Sequence, residues 1–129
     1  MRIDNMRGIF ALMLVVALAT PVHGGEDPDQ QKIEAATNAV RLKLKDPQSA
    51  RFDSLSIGRA IGSESGEPRE NVCGFVNGKN SYGGYEGRMP FSVSIENDGT
   101  IGTIYIGTDA LWTAIARASC DVVGIKLEG

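Results

Sequence analysis

Apolar residues recur at two different spacings along the chain, and the change of spacing divides it into elements. Ile33, Ala36, Val40 and Leu44 are three, four and four residues apart, which places them on one stripe of a helix. Lys32, Glu34, Arg41, Lys43 and Lys45 occupy the other faces. Asp27 stands where an N-cap belongs. Pro28 follows at the first helical position, where a missing N–H costs nothing. Asp46-Pro47 predicts the stop, because the residue before proline is pushed out of helical angles. A short turn through Gln48-Ser49-Ala50, capped by Asp46, follows.

The spacing then changes to two. Residues 51–61 carry Leu55, Ile57 and Ile61, with Phe52 as an anchor at the start, and read as a strand. Residues 62–70 (GSESGEPRE) are polar and broken by Gly and Pro, so they read as an exposed loop of solvated charge. Residues 71–77 hold Val72, Cys73, Phe75 and Val76, apolar on both faces, as a central strand requires. Residues 88–96 alternate, with Met89, Phe91, Val93 and Ile95 inward and Pro90, Ser92, Ser94 and Glu96 outward. Pro90 cannot donate to a ladder, which predicts an edge position or a strand start. Asn97-Asp98-Gly99 is a hairpin turn, and residues 100–107 form its return strand. Thr108-Asp109 caps a closing helix from about Ala110 to Cys120. Its stripe reads as Leu111, Ile115, Ala118 and Val122, with Trp112 beside it in the core. Val123, Ile125 and Leu127 alternate and allow a short final strand.

The predicted fold class is α+β. An N-terminal helix, a four-stranded, mostly antiparallel meander and a C-terminal helix follow one another, with both helices on one face of the sheet. A chain of 129 residues has room for one such domain.

The first 24 residues change the picture. Arg2 and Arg7 precede a 12-residue apolar run, GIFALMLVVALA, too short to span a bilayer core. Thr20-Pro21 ends it, and Val22-His23-Gly24 suits cleavage after Gly24. Residues 1–24 therefore read as a signal peptide and 25–129 as the mature domain, exported to the periplasm with no membrane span after cleavage.

Export has two chemical consequences. The only histidine, His23, leaves with the signal peptide. The mature chain then has no Ser-His-Asp or Cys-His machinery and no His-containing zinc site. It carries no phosphate-binding GxxxxGK[ST] loop and no CxxC, and no cofactor is expected. Both cysteines stay. In an oxidising compartment the expected intrachain pair is Cys73–Cys120, against free buried thiols or intermolecular bonds. Such a bond closes a loop of about 48 residues, worth about 4 kcal/mol in a chain-entropy treatment. A formal net charge of -3 without a basic block argues against nucleic acid as partner.

Residues 77–87 (NGKNSYGGYEG) contain four glycines and no usable period. Tyr82 and Tyr85 bring amphipathic rings, and Asn77, Lys79, Asn80 and Ser81 bring polar contacts. These six residues form the candidate binding loop. The same composition also suits a structural loop whose polar side chains satisfy irregular backbone. The spacing of Lys79 and Ser81 alone does not make a Ser–Lys dyad.

Residues 44–52 (LKDPQSARF), residues 72–87 (VCGFVNGKNSYGGYEG) and Phe91 resemble a group of small exported bacterial proteins. That group shares an LKDPxSAxF segment and a CGxVNxKNSYGGYxG segment. The resemblance spans about residues 42–91 and, with the signal peptide, much of the chain. It implies a bacterial envelope setting and no activity. Gly78 stands where the group carries Ala, which implies a looser loop or a tight turn there.

These observations lead to three expectations. The first is a non-enzymatic binding or accessory protein of the periplasm, whose partner is an envelope protein or glycan. The second is an inhibitor or immunity-type protein that plugs an enzyme's cleft with the 77–87 loop. The third is a carboxylate-dependent wall-glycan hydrolase, which needs two acids facing one cleft.

Overall fold

The computed structural model describes residue 25 and residues 27–62 and 65–129. The expected signal peptide, with His23 and the expected cleavage after Gly24, lies outside the described residues. Among the described residues, no helix is long and apolar enough to cross a membrane.

Helix α1 (Pro28–Arg41) begins as the sequence predicts, with the Asp27 carboxylate accepting the Asp29 N–H and Pro28 in the first turn. It buries Ala36, Thr37 and Val40. It ends at Arg41, several residues before Asp46-Pro47. The N–H groups of Lys43 and Leu44 reach back three residues rather than four, so the last turn tightens out of the α-helix. The Arg41 guanidinium donates to the Pro47 carbonyl at 3.2 Å and folds the chain onto a 3₁₀ turn at Pro47–Ser49. Asp46 does not cap that turn through its side chain; Ser49 Oγ instead donates to the Asp46 carbonyl.

Four strands follow: β1 (Arg51–Ile61), β2 (Pro68–Asn77), β3 (Met89–Ile95) and β4 (Ile101–Ile106). They pair antiparallel in chain order, as the predicted meander requires. Strand β2 starts at Pro68, so the 62–70 loop is shorter than its composition suggests. A proline is tolerated there because the first strand residue need not donate. Pro90 sits near the start of β3, a strand with partners on both sides.

The alternation of β2 decides where the helices lie. Val72 pairs with Val93 and Gly74 with Phe91, so Val72, Val76, Phe91, Val93 and Ile95 share one face. Ala36 and Val40 of α1 cover it. Cys73 and Phe75 point the other way, into a second cluster with Leu127 and with Cys120 of α2 (Ala110–Val122). The helices therefore cover opposite faces, not the single face expected. The reason is in the sequence: a strand apolar on both sides needs a cover on both sides.

The Cys73–Cys120 disulfide ties α2 to the centre of the sheet, with Cα atoms 6.1 Å apart. It also sets the rotation of the helix. With Cys120 facing β2, residues three or four away, Ala116 and Val123, turn inward and are buried. Ala118 and Val122, two residues away, turn outward. Leu111 is 66% exposed and Val122 53%. The stripe expected in the core thus faces solvent, apart from half-buried Ile115. Trp112 is not a core residue either; at 40% exposure it stacks on Tyr105, centroids 6.1 Å apart. Gly124, at φ +79°, ends α2, and the Ile125 N–H caps the Cys120 carbonyl. Residues 123–129 do not form a strand; they cross the α2 face as an extended tail that buries Val123 and Leu127.

Candidate functional site

The 77–87 loop is a braced finger. Lys79 and Tyr85 pair across it, and Asn80 N–H donates to Gly84 O at 2.8 Å. The side chain of Asn80 ties the tip: its Oδ1 accepts the Tyr82 and Gly84 N–H groups at 2.9 and 3.1 Å. Asn77 Oδ1 accepts the Gly87 N–H and closes the base. Gly83 and Gly87 have φ of +82° and +111°, conformations that favour glycine. Gly78 does not form a tight turn. It is buried, and a side chain there would meet Leu44 Cδ1 at 3.2 Å.

Tyr85 holds the finger to the body. Its hydroxyl donates to the Ser49 carbonyl at 3.0 Å, and the Lys79 N–H donates to Ser49 Oγ at 2.8 Å. The Arg51 guanidinium lies 4.2 Å from the Tyr85 ring centroid, and Lys79 Nζ lies 5.6 Å away. The two patterned segments of the sequence therefore meet in space: Ser49 from the first clasps Lys79 and Tyr85 from the second. The structure divides the six candidate residues by role. Asn77, Lys79, Asn80 and Tyr85 hold the loop in shape. Ser81 and Tyr82 stand at the tip, and Tyr82 is 98% exposed.

Sequence reasoning did not foresee a second concave feature. On the α2 face, an open cleft of about 740 Å³ is lined by Arg69, Asn71, Ser94, Glu96, Tyr105 and Ser119, among others. Asn71 is 3% exposed. Its amide nitrogen donates to Ser119 O at 3.0 Å, Ser119 Oγ at 2.9 Å and Ser92 Oγ at 3.3 Å. The Ser119 carbonyl fixes which way the amide points, because only the nitrogen can donate to it. Asn71 Oδ1 is then left without a partner, alone in this among the buried side-chain polar atoms of the described residues. Leaving such an acceptor bare costs about 1–3 kcal/mol. One signal in the sequence pointed here: Asn71 opens a segment that is otherwise apolar on both faces.

The wall of this cleft is built around a defect in the sheet. The β3–β4 register shifts between Val93 and Ile95, and Ser94 Oγ accepts the Thr103 N–H at 2.7 Å. A Cβ at Gly102 would lie 2.2 Å from Glu96 Oε1 and 2.4 Å from Ser94 Oγ. Glycine at this position lets the Glu96 carboxylate lie across β4 beside the Ser94 hydroxyl.

Charges elsewhere are paired at the surface. Lys32 and Arg59 both reach Glu70, at 2.9 and 3.3 Å, and Arg59 also pairs with Asp29. Arg88 pairs with Asp53. The hydrogen bond from Arg59 holds the Asp29 carboxyl below its ordinary range, and that from Arg88 does the same for Asp53. Asp98 is lowered by the Thr100 hydroxyl, then by the Thr100 N–H, as its predicted turn role implies. The general acid of a glycoside hydrolase needs the opposite shift, so none of these three is tuned for that role. Among the described residues, no three His, Cys, Asp or Glu side chains are placed to hold a metal ion.

Comparison of the chain with protein-family models, with curated proteins and with solved structures finds no match. The geometry of the finger and the cleft carries the functional argument.

Proposed function

We propose that the mature domain is a non-enzymatic binding or accessory module of the bacterial cell envelope, exported to the periplasm. It recognises a partner protein through the 77–87 finger. The observation that carries this reading is the full exposure of Tyr82 on a loop braced by its own backbone and by Asn77, Asn80 and Tyr85. A large ring held in water by a pre-shaped loop has already met most of the ordering cost of binding, and tyrosine is enriched at interface anchors. The signal-peptide features of residues 1–24, the disulfide and the histidine-free mature chain support the setting.

The projection of the finger also favours a narrower version, an inhibitor or immunity-type protein that inserts Tyr82 into an enzyme's cleft. One experiment addresses both. Mature, oxidised protein, wild type against Tyr82→Ala, is crosslinked in envelope extract, and captured hydrolases are assayed for inhibition. The reading expects a partner held by the wild type and lost by Tyr82→Ala, which keeps its fold. Equal capture by both proteins contradicts it. Inhibition of the captured enzyme selects the narrower version.

A further inference from the structure

We infer that the cleft on the α2 face is a saccharide-binding site. This inference stands apart from the finger, which contributes no residue to the cleft.

A pyranose ring makes three demands on a site. Its hydroxyls both donate and accept, so it needs mixed polar partners at fixed positions. Its C–H face needs a flat apolar wall. It carries no net charge, so a site for it needs at most a small surplus of either sign. The cleft meets all three. The Ser119 hydroxyl accepts from Asn71 and shares a hydrogen bond with the Ser92 hydroxyl, and Ser119 lines the cleft. Asn71, at the buried end of the same network, holds Ser119 in place through its amide nitrogen. Glu96 adds acceptors in the space that Gly102 leaves open. Arg69 adds donors and one positive charge against Glu67 and Glu96, and the Glu67 carboxylate accepts from the Asn97 amide. Glu70 is already matched by Lys32 and Arg59. Tyr105 supplies the wall, and Trp112 stacked against it fixes the plane of the ring.

Other ligand classes fit less well. A phosphate needs a positive surplus, whereas Glu67 and Glu96 outnumber Arg69 in this lining, and among the described residues no three His, Cys, Asp or Glu side chains are placed to hold a metal ion. A lipid chain needs apolar walls, and this lining is mostly polar. The volume falls in the range of small-molecule pockets and accepts a short oligosaccharide.

The test uses mature, oxidised protein, labelled for amide NMR and titrated separately with chitotriose, maltotriose and inorganic phosphate. Saturable shifts at Asn71, Ser94, Thr103, Tyr105 and Ser119 are expected with one or both sugars, in the millimolar range or tighter. Trp112 emission should change in parallel. Tyr105→Ala should weaken sugar binding about tenfold or more. Glu96→Gln, an exposed substitution outside the buried network, provides a second variant if Tyr105→Ala fails to fold. It too should weaken binding. The inference is overturned if neither sugar gives saturable shifts, if the shifts fall outside the cleft, or if Glu96→Gln binds as the wild type does. Saturation by phosphate alone overturns it as well.

Discussion

Reduction of Cys73–Cys120 should cost the folded domain about 4 kcal/mol. The bond joins residues 47 apart in sequence, and the chain-entropy relation for a loop of about that length gives this figure at 25 °C. A domain of about 100 residues has a total stability of about 5–15 kcal/mol, so the loss is a large fraction of the whole. It corresponds to a fall in Tm on the order of 15–30 °C. The structure also says where the loss concentrates. Helix α2 buries only Ala116 and Cys120, while Leu111 and Val122 face water. Half-buried Ile115 and the Trp112–Tyr105 stack add some apolar contact, and its other ties are polar: Asn71 to Ser119, Thr113 to Gly107, and Arg117 to the Leu127 and Gly129 carbonyls. Urea denaturation of oxidised and reduced protein measures the total. Amide hydrogen exchange locates it, with α2 losing protection well before β2 and β3 in the reduced form. A loss below about 1 kcal/mol, or uniform loss of protection across the sheet, would refute the view that the bond is the main strap on α2.

The other predictions concern single sites. Tyr85→Phe removes the hydroxyl that donates to Ser49 O and should lower stability by about 1 kcal/mol, while Tyr82→Ala should stay within about 0.5 kcal/mol, both read from urea midpoints. Gly78→Ala should stay within about 0.5 kcal/mol of wild type, because the Leu44 methyl it approaches can move and the unfolded chain loses freedom. Gly58→Ala should instead cost about 1–3 kcal/mol, because its Cβ would lie 2.5 Å from the Val123 carbonyl, which is backbone. Asp29 and Asp53 are more acidic folded than unfolded, so their contribution is complete above the unfolded value near ~4 and is lost as pH falls through the folded values. Asp29→Asn/Asp53→Asn should therefore show a flatter acid limb in stability against pH; an unchanged limb contradicts the assignment, and added salt should shrink the difference.

The sheet was legible in the sequence because its signals are local. Alternation at Met89–Ile95 and the Asn97-Asp98-Gly99 turn specify β3 and β4 without reference to the rest of the chain. The two-sided apolar character of β2 was equally plain, yet its consequence, a helix on each face, concerns the whole fold. The rotation of α2 was hidden for a different reason. That helix is apolar on more than one side, and only the disulfide decides which side turns inward. Within the finger, composition identified a loop rich in glycine and tyrosine but could not separate Tyr82 from Tyr85. Their difference depends on Ser49, distant in sequence, which receives one ring's hydroxyl and not the other's. The cleft was the least legible feature. Ser92 and Ser94 read as ordinary outward residues of an alternating strand. Ser92 acquires a role only once α2 brings Ser119 beside it and Asn71 joins the network, and Ser94 only through the β3–β4 register shift, where it accepts the Thr103 N–H.

The proposed binding mode has Tyr82, at the tip of the finger, touching a partner. The most direct test places a photoreactive phenylalanine analogue at position 82 in cells that export the protein, with the same analogue at position 42 as control. Leu42 is also exposed, at the end of α1. The account predicts a discrete protein adduct after illumination at position 82 and none at position 42. Illumination that yields no adduct at 82, or the same adducts at both positions, would contradict it.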